Sequence, residues 1–292
     1  MKIESLFHGG SVRMPLVVLI HGMGMDLSVW SAPERVKILA GTYPLSSLLD
    51  ERYREMRTIY PGLRELGLNI LTWSQSRPAG PLGVAVAELG ELLEAHRRHA
   101  SAGIILIGHS RGGLIGRSFM EGHPENIRGL ITIASPHRGT TLARWSSYVS
   151  PLASFARMIA GISRGDISRA VKRIAGFLQS SGLRELLPDS PLVRSFRTEK
   201  PAGVRCSSIG GTSPDLVRIG SFPLLELFLK VLPGMVVPDE MRPGLGDGLV
   251  SAASSVLPYA DRHADFALNH VSLLFDGKVR ENVLAEAETF LP

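Results

Sequence analysis

The stretch IILIGHSRGG at residues 104–113 joins a short apolar run to a glycine-rich turn, and a helical pattern follows it. Four consecutive apolar residues bounded by a turn favour a buried strand. The turn contains the pattern G-x-S-x-G, in which small residues let the chain fold back sharply while the serine hydroxyl projects into a cleft. The order of strand, turn and helix therefore predicts that Ser110 is a nucleophile at the tip of a strained elbow.

Further strand-like runs surround this stretch and indicate a sheet. We predict strands at residues 16–20, 69–73, 104–107, 130–134 and 204–209. Helical patterns separate these runs, and such alternation is typical of an α/β fold with a parallel sheet and crossover helices. The clearest helix is predicted at residues 82–99, where apolar residues recur on one face. Its glutamates precede its arginines, an order that suits the helix dipole.

The composition fits a single domain over residues 1–292. Of these residues, 44% are hydrophobic and 20% are charged, which is enough apolar material to bury a large core. The longest apolar stretches are shorter than the roughly 20 residues that a bilayer requires. No basic leader followed by an apolar segment is visible, so we expect a cytoplasmic protein.

An insertion interrupts the sheet pattern at about residues 144–200, an interval longer than the usual connection between neighbouring elements. Amphipathic patterns on both sides of Gly161 predict two helices that form a cap or lid. The interval holds ten Lys or Arg residues against four Asp or Glu residues. A basic amphipathic lid predicts peripheral contact with an anionic membrane surface, whereas the solvated faces of cap helices would give the same pattern. A second insertion, at residues 222–241, is predicted to pack beside the cap.

Other classes of site have little support in the sequence. The only cysteine, Cys206, lies in a predicted strand, where a small core residue is expected rather than a nucleophile. The histidines show no metal-ligand spacing, and neither H-E-x-x-H nor a paired cysteine motif is present. No nucleic-acid-binding motif is recognisable either. We therefore expect no metal, no cofactor and no nucleic-acid partner.

A serine nucleophile requires a base, and an acid that orients the base. In elbow hydrolases the chain order is serine, acid, histidine. His270 follows an apolar run and is the favoured base, whereas His263 lies among charged residues, where a solvated loop is expected. Two residues compete for the acid: Asp247 lies in a glycine-flanked turn, and Asp215 follows the predicted strand at residues 204–209.

Negative charge that develops on the substrate oxygen requires hydrogen-bond donors in fixed positions. The backbone N–H of Arg111, directly after the serine at the start of a helix, is one predicted donor. The second predicted donor is the backbone N–H of Met23, in the sequence HGMG at residues 21–24. Glycines on both sides of Met23 allow close approach of a substrate. We expect His21 to orient this loop rather than to ionise.

Four segments together resemble α/β-hydrolases of the bacterial lipase type. They are LIHGMG at 19–24, GHSRGG at 108–113, IASPHRGT at 133–140 and GDGLVS at 246–251. The resemblance implies an α/β-hydrolase fold, with a mostly parallel central sheet flanked by helices and an inserted helical lid. In those lipases the acid lies in a similar Asp-Gly-Leu-Val-Ser segment and the base in a similar Asn-His pair. This likeness favours Asp247 over Asp215 and supports His270.

The resemblance implies a serine hydrolase that cleaves carboxylic esters, with an acyl ester or a lipid as substrate, through an acyl-enzyme. Acyl transfer and amide hydrolysis use the same three residues, and a non-catalytic ligand-binding protein can keep the same fold. These alternatives remain open at the level of the sequence. Secreted lipases of this type also bind calcium through an aspartate two residues after the histidine. Ser272 occupies that position here, so the resemblance implies no calcium site.

Overall fold

A seven-stranded sheet forms the centre of the molecule. The computed structural model describes residues 3–38, 43–49, 51–141, 180–215, 218–219, 222–223 and 237–291. In chain order, the strands of the sheet are β1 (Ser5–His8), β2 (Leu16–Ile20), β3 (Asn69–Trp73), β4 (Ile104–His109), β5 (Ile127–Ile133), β6 (Arg205–Gly211) and β7 (Arg262–Phe266). Their spatial order is β1-β3-β2-β4-β5-β6-β7. Strand β1 runs antiparallel to β3, and all the other neighbours are parallel. The predicted α/β class with a mostly parallel sheet is therefore confirmed.

Helices connect and flank the strands. In chain order they are α1 (Ser28–Ser31), α2 (Tyr60–Glu65), α3 (Leu82–Ala95), α4 (Arg111–Gly122), α5 (Ser181–Glu185), α6 (Pro191–Ser195), α7 (Ala252–Ser255) and α8 (Gly277–Glu288). Short 3₁₀ turns lie at Pro33–Arg35, Leu45–Leu48, Glu51–Tyr53, Arg97–His99, Asp239–Met241 and Ser272–Leu274. Two antiparallel strand pairs lie outside the main sheet, Lys37–Ile38 with Tyr43–Pro44 and Arg218–Ile219 with Phe222–Pro223.

Strand β2, with the sequence LVVLI, is apolar throughout because both faces of the sheet are covered there. Val17 on β2 packs into one apolar cluster that includes Val283 of α8. Its neighbour Val18 packs into a second cluster that includes Leu89 of α3 and Leu114 of α4. Alternate residues of one strand therefore enter two different cores, which explains why the sequence shows continuous apolar runs rather than alternation.

The predicted bounds of β2 and β3 match the structure, and the predicted positions of β4, β5 and β6 are confirmed with small differences at their ends. The helix predicted at residues 82–99 ends at Ala95, and a 3₁₀ turn at Arg97–His99 follows it. The sequence did not reveal β1 or β7. Both are edge strands, and β7 reads RHADF, which lacks an apolar run because its residues are exposed or half-buried.

The solvated-loop interpretation of His263 is wrong. His263 lies on β7, and its Nδ1 atom is 2.8 Å from the hydroxyl oxygen of Ser208 on β6. Charged neighbours suggested a loop, but β7 pairs with β6 along one side only, so charged side chains are tolerated there.

The predicted cap helices on both sides of Gly161 lie outside the described residues, as do most of the insertion at 222–241 and most of the basic residues of the interval 144–200. The described end of that interval contains α5 and α6, and a serine side chain caps the N-terminus of each. The cap and its membrane contact stay predictions. No helix in the described ranges is both long and apolar enough to cross a membrane.

Candidate active site

Ser110 lies in a strained turn between β4 and α4. Its backbone has φ +55° and ψ −129°, a conformation that is costly for a residue with a side chain. The turn is so tight that a Cβ atom on Gly108 would lie 2.4 Å from the backbone nitrogen of Gly113. A Cβ atom on Gly112 would lie 2.2 Å from the carbonyl oxygen of Ile20. Glycine is therefore required at both positions, and the elbow geometry that the sequence predicted is present.

His270 and Asp247 form a buried pair. His270 Nδ1 lies 2.8 Å from Asp247 Oδ2, and the backbone N–H of His270 donates to the carbonyl oxygen of Asp247 at 2.9 Å. The other carboxylate oxygen, Oδ1, accepts the backbone N–H groups of Leu249 at 2.9 Å and Val250 at 2.7 Å. A histidine that donates from Nδ1 to a carboxylate keeps Nε2 as a proton acceptor. The glycine-rich turn thus holds the carboxylate rigidly against the histidine ring.

His109 connects this pair to the elbow. It directly precedes Ser110, and its Nε2 lies 3.0 Å from the carbonyl oxygen of His270. The rings of His109 and His270 are 4.8 Å apart between their centroids. Complete burial lowers the pKa of His109 well below its ordinary value, so the ring is neutral and donates from Nε2. The loop that carries His270 is therefore fixed to the residue beside the serine.

Asp215, the competing acid, lies at the edge of this site. Its backbone carbonyl oxygen accepts a hydrogen bond of 2.7 Å from Asn269 Nδ2, and Asn269 directly precedes His270. Asn269 Oδ1 in turn accepts the backbone N–H of Ser272 at 2.8 Å. In this arrangement the main chain of Asp215 supports the histidine loop, whereas the carboxylate of Asp247 contacts the histidine ring.

The loop at residues 21–24 passes directly beside the serine. A Cβ atom on Gly22 would lie 3.1 Å from Ser110 Cβ and 3.1 Å from His109 Nδ1. In the described part of the chain, no protein group accepts the backbone N–H of Met23 or of Arg111. Arg111 is the first residue of α4, where backbone N–H groups lack a partner within the helix. Gly22, which directly precedes Met23, therefore lies beside Ser110, and Arg111 directly follows the serine.

Two buried side chains behind this loop were not found by sequence reasoning. Gln75 donates its backbone N–H to His21 Nε2 at 3.2 Å, and its Oε1 accepts from Arg111 Nη1 at 2.8 Å. A second guanidinium nitrogen, Nη2, donates to the carbonyl oxygen of Gly80 at 2.7 Å. Burial lowers the pKa of Arg111 to about 10, so the side chain remains charged at neutral pH. The sequence offers one signal for this arrangement, the arginine that follows the serine in the elbow motif. Nothing in the sequence shows that Gln75 lies next to that arginine.

Cys206 is buried on β6, and burial raises the pKa of its thiol to about 12, as befits a core residue. Among the described residues, no group of three or more His, Cys, Asp or Glu side chains could hold a metal ion.

The chain is similar to known ester-cleaving proteins. A family model for palmitoyl protein thioesterase matches residues 16–160. A pimeloyl-[acyl-carrier protein] methyl ester esterase of Sodalis glossinidius is 28% identical over 86% of this chain and 87% of its own length. The corresponding esterase of Aeromonas hydrophila is also 28% identical, over 86% of this chain and 89% of its own length.

Solved structures share the fold over almost the whole chain. A mature lipase of Bacillus licheniformis has a TM-score of 0.53 at 16% identity, covering 99% of this chain and 98% of the lipase. A monoacylglycerol lipase of Paleococcus ferrophilus has a TM-score of 0.52 at 17% identity, covering 100% of this chain and 99% of the lipase. Together with the parallel sheet and the serine elbow, these similarities show that the chain has the α/β-hydrolase fold.

Proposed function

We propose that the protein hydrolyses carboxylic esters with Ser110 as nucleophile, His270 as general base and Asp247 as the acid that orients His270. The observation that carries this proposal is the contact of 2.8 Å between His270 Nδ1 and Asp247 Oδ2, in a loop fixed beside a strained serine elbow. The contact leaves His270 Nε2 as the nitrogen that can take a proton from the serine hydroxyl. The similarity to esterases supports the same reaction class.

In the first half of the reaction, Ser110 Oγ bonds to the carbonyl carbon while its proton passes to His270. The carbonyl oxygen becomes negative and is stabilised by the backbone N–H groups of Met23 and Arg111. His270 then gives the proton to the leaving alcohol as the ester C–O bond breaks, which produces the acyl-enzyme. The fixed carboxylate of Asp247 stabilises the histidine while it carries the extra proton.

In the second half, water attacks the acyl carbon and His270 takes its proton. The bond between the acyl carbon and Ser110 Oγ breaks, Ser110 regains a proton from His270, and the carboxylic acid leaves. Asp247 suits its role because its second oxygen is held by two backbone N–H groups, which prevents rotation of the carboxylate away from the ring.

The proposed substrate is an ester of an acyl chain, such as an acyl methyl ester or a lipid ester. The relatives named above act, by their names, on a methyl ester of an acyl group carried by a protein, and the structural neighbours include lipases. The substrates that these names describe are all esters of an acyl group. The leaving alcohol is small in the first case and a glycerol derivative in the second.

The test uses the full chain and nitrophenyl esters from acetate to palmitate, with a fluorophosphonate probe for the nucleophile. We expect the wild type to hydrolyse at least one ester and to become labelled. Ser110→Ala should lower kcat by about five to six orders of magnitude and abolish labelling, because covalent attack needs the hydroxyl. Circular dichroism and Tm report whether the variant is folded. A wild type that never takes up the probe, or a folded Ser110→Ala that keeps its turnover, would refute the proposal.

A further inference from the structure

Gln75 joins the loop after β2 to helix α4, the two segments that carry the proposed oxyanion donors. It lies just beyond the end of β3, is buried, and uses its polar groups in three directions. Its backbone N–H donates to His21 Nε2 at 3.2 Å, and its side-chain Nε2 donates to the carbonyl oxygen of His21 at 2.9 Å. Its Oε1 accepts from Arg111 Nη1 at 2.8 Å. One side chain therefore connects the loop after β2 to the helix after the serine.

These contacts determine the protonation of His21. Because Nε2 accepts a hydrogen bond from Gln75, the ring proton must be on Nδ1. His21 Nδ1 lies 2.8 Å from the carbonyl oxygen of Gly22 and therefore donates to it. Burial lowers the pKa of His21 to about 4, which keeps the ring neutral and this tautomer in place at neutral pH.

The hydrogen bond to Gly22 has a direct consequence for Met23. The carbonyl group of Gly22 and the N–H of Met23 belong to one peptide unit, which is planar and, like every described peptide bond here, trans. The two groups point in opposite directions in that plane. When His21 holds the carbonyl oxygen, the direction of the Met23 N–H is set as well.

We infer that Gln75 is a positioning residue for the Met23 oxyanion donor, acting through His21 and held in place by the Arg111 side chain. The inference rests on the proposed function, since the direction of this N–H matters only if an oxyanion forms beside Ser110. Arg111 contributes twice, because its backbone N–H is the other proposed donor. The two donors are thereby joined through buried hydrogen bonds and need no rearrangement during the reaction.

Asn69 offers a matched control at the opposite end of the same strand. It is a buried amide whose Nδ2 donates to the carbonyl oxygens of Ser11 at 2.9 Å and Met14 at 3.0 Å. Its Oδ1 accepts the backbone N–H of Gly10 at 3.0 Å. Asn69 therefore ties the connection between β1 and β2 to the amino end of β3, whereas Gln75 lies just beyond the carboxyl end of that strand. Replacing either amide removes buried hydrogen bonds, and only one of them is connected to the proposed donors.

The experiment compares Gln75→Ala, Gln75→Glu and Asn69→Ala in the full chain. It measures kcat and KM on a short soluble ester, the affinity of a trifluoromethyl ketone, and Tm. The ketone forms an oxyanion when the serine adds to it, so its affinity reports on the donors. Gln75→Glu keeps the shape and the contact with Arg111 but turns an oxygen towards the carbonyl oxygen of His21.

We expect both Gln75 variants to lower kcat about 10- to 100-fold with KM nearly unchanged, and to weaken ketone binding by the same factor. Asn69→Ala should lower Tm while keeping kcat and ketone affinity near wild type. A folded Gln75→Glu with wild-type kcat and ketone affinity would overturn the inference. The inference would also be overturned if kcat fell in proportion to Tm, to the same degree, in the Gln75 and Asn69 variants. If the wild type neither cleaves esters nor binds the fluorophosphonate, the proposed function is refuted, and the inference, which rests on it, is refuted as well.

Discussion

Two sets of serine, histidine and aspartate side chains lie within or beside this one sheet, and only one of them has the setting of an active site. In the first, His270 contacts Asp247 beside the elbow. In the second, which joins β6 to β7, Ser208 Oγ lies 2.8 Å from His263 Nδ1, and His263 Nε2 lies 3.2 Å from Asp265 Oδ1. By residue type and contact alone, the second set is the more complete.

The difference lies in the backbone that carries each serine. Ser208 is in a regular strand, is 1% exposed, and its hydroxyl oxygen also accepts the backbone N–H of Leu257 at 3.3 Å. Ser110 is held at a positive φ at the start of a helix, where the first backbone N–H groups have no partner within the helix. The histidines also differ, because His263 turns Nδ1 to the serine whereas His270 turns Nδ1 to the carboxylate. We therefore interpret the second set as a side-chain ladder that attaches the edge strand β7.

Replacing the two histidines in turn should give the largest contrast. His270→Ala removes the proposed base, and we expect kcat to fall by about five to six orders of magnitude, as for loss of a catalytic histidine in a serine hydrolase. His263→Ala should leave kcat near wild type. Steady-state kinetics on a soluble ester, with circular dichroism as a check of folding, decide between them. A greater loss of kcat in His263→Ala than in His270→Ala would assign the base to His263. Equal losses would contradict the distinction between the two sets.

The aspartates should show the same order with a smaller effect. Asp247→Asn keeps the size of the side chain but loses the charge that orients His270, so we expect kcat to fall about 10⁴-fold. Asp265→Asn and Asp215→Asn should stay close to wild type, because neither carboxylate is proposed to contact the catalytic ring. The same ester assay measures all three. A larger loss in Asp215→Asn than in Asp247→Asn would assign the acid to Asp215.

The parts of the fold that the sequence predicts are those with a local signal. Strands β2 and β3 have both faces buried, and their mostly apolar, β-forming sequences mark where the strands begin and end. Strand β7 is exposed or half-buried along its length, and its charged sequence carries no such signal. Glu88 shows the same limit in a helix: it is buried, and its carboxylate accepts from Trp73 Nε1 at 3.1 Å. Only the tertiary contact explains why a charged residue lies on the inner face.

The candidate site divides in the same way. The elbow at Ser110 is a local turn, so small residues at fixed spacing reveal it. Asp247 could be preferred over Asp215 only through the resemblance, because both occupy ordinary turn sequences. Gln75 has no sequence signal at all, since its partners come from other segments of the chain. Burial and the direction of a hydrogen bond are properties of the folded chain and cannot be derived from spacing.

The ladder should act on stability alone, and this is the smallest effect we expect. Ser208→Ala and His263→Ala each remove one partner of a largely buried hydrogen bond, so each should lower the free energy of unfolding by about 1 kcal/mol. The double variant should show a coupling of roughly 0.5–1.5 kcal/mol, measured by urea unfolding.

Ser207→Ala provides the control, because the Ser207 hydroxyl instead donates to Glu286 Oε2 at 3.0 Å. Its cycle with His263→Ala should show little coupling. Absence of coupling between Ser208 and His263 would mean that the second set is not a structural ladder. A fall in kcat in the Ser208→Ala or His263→Ala variant would mean the same.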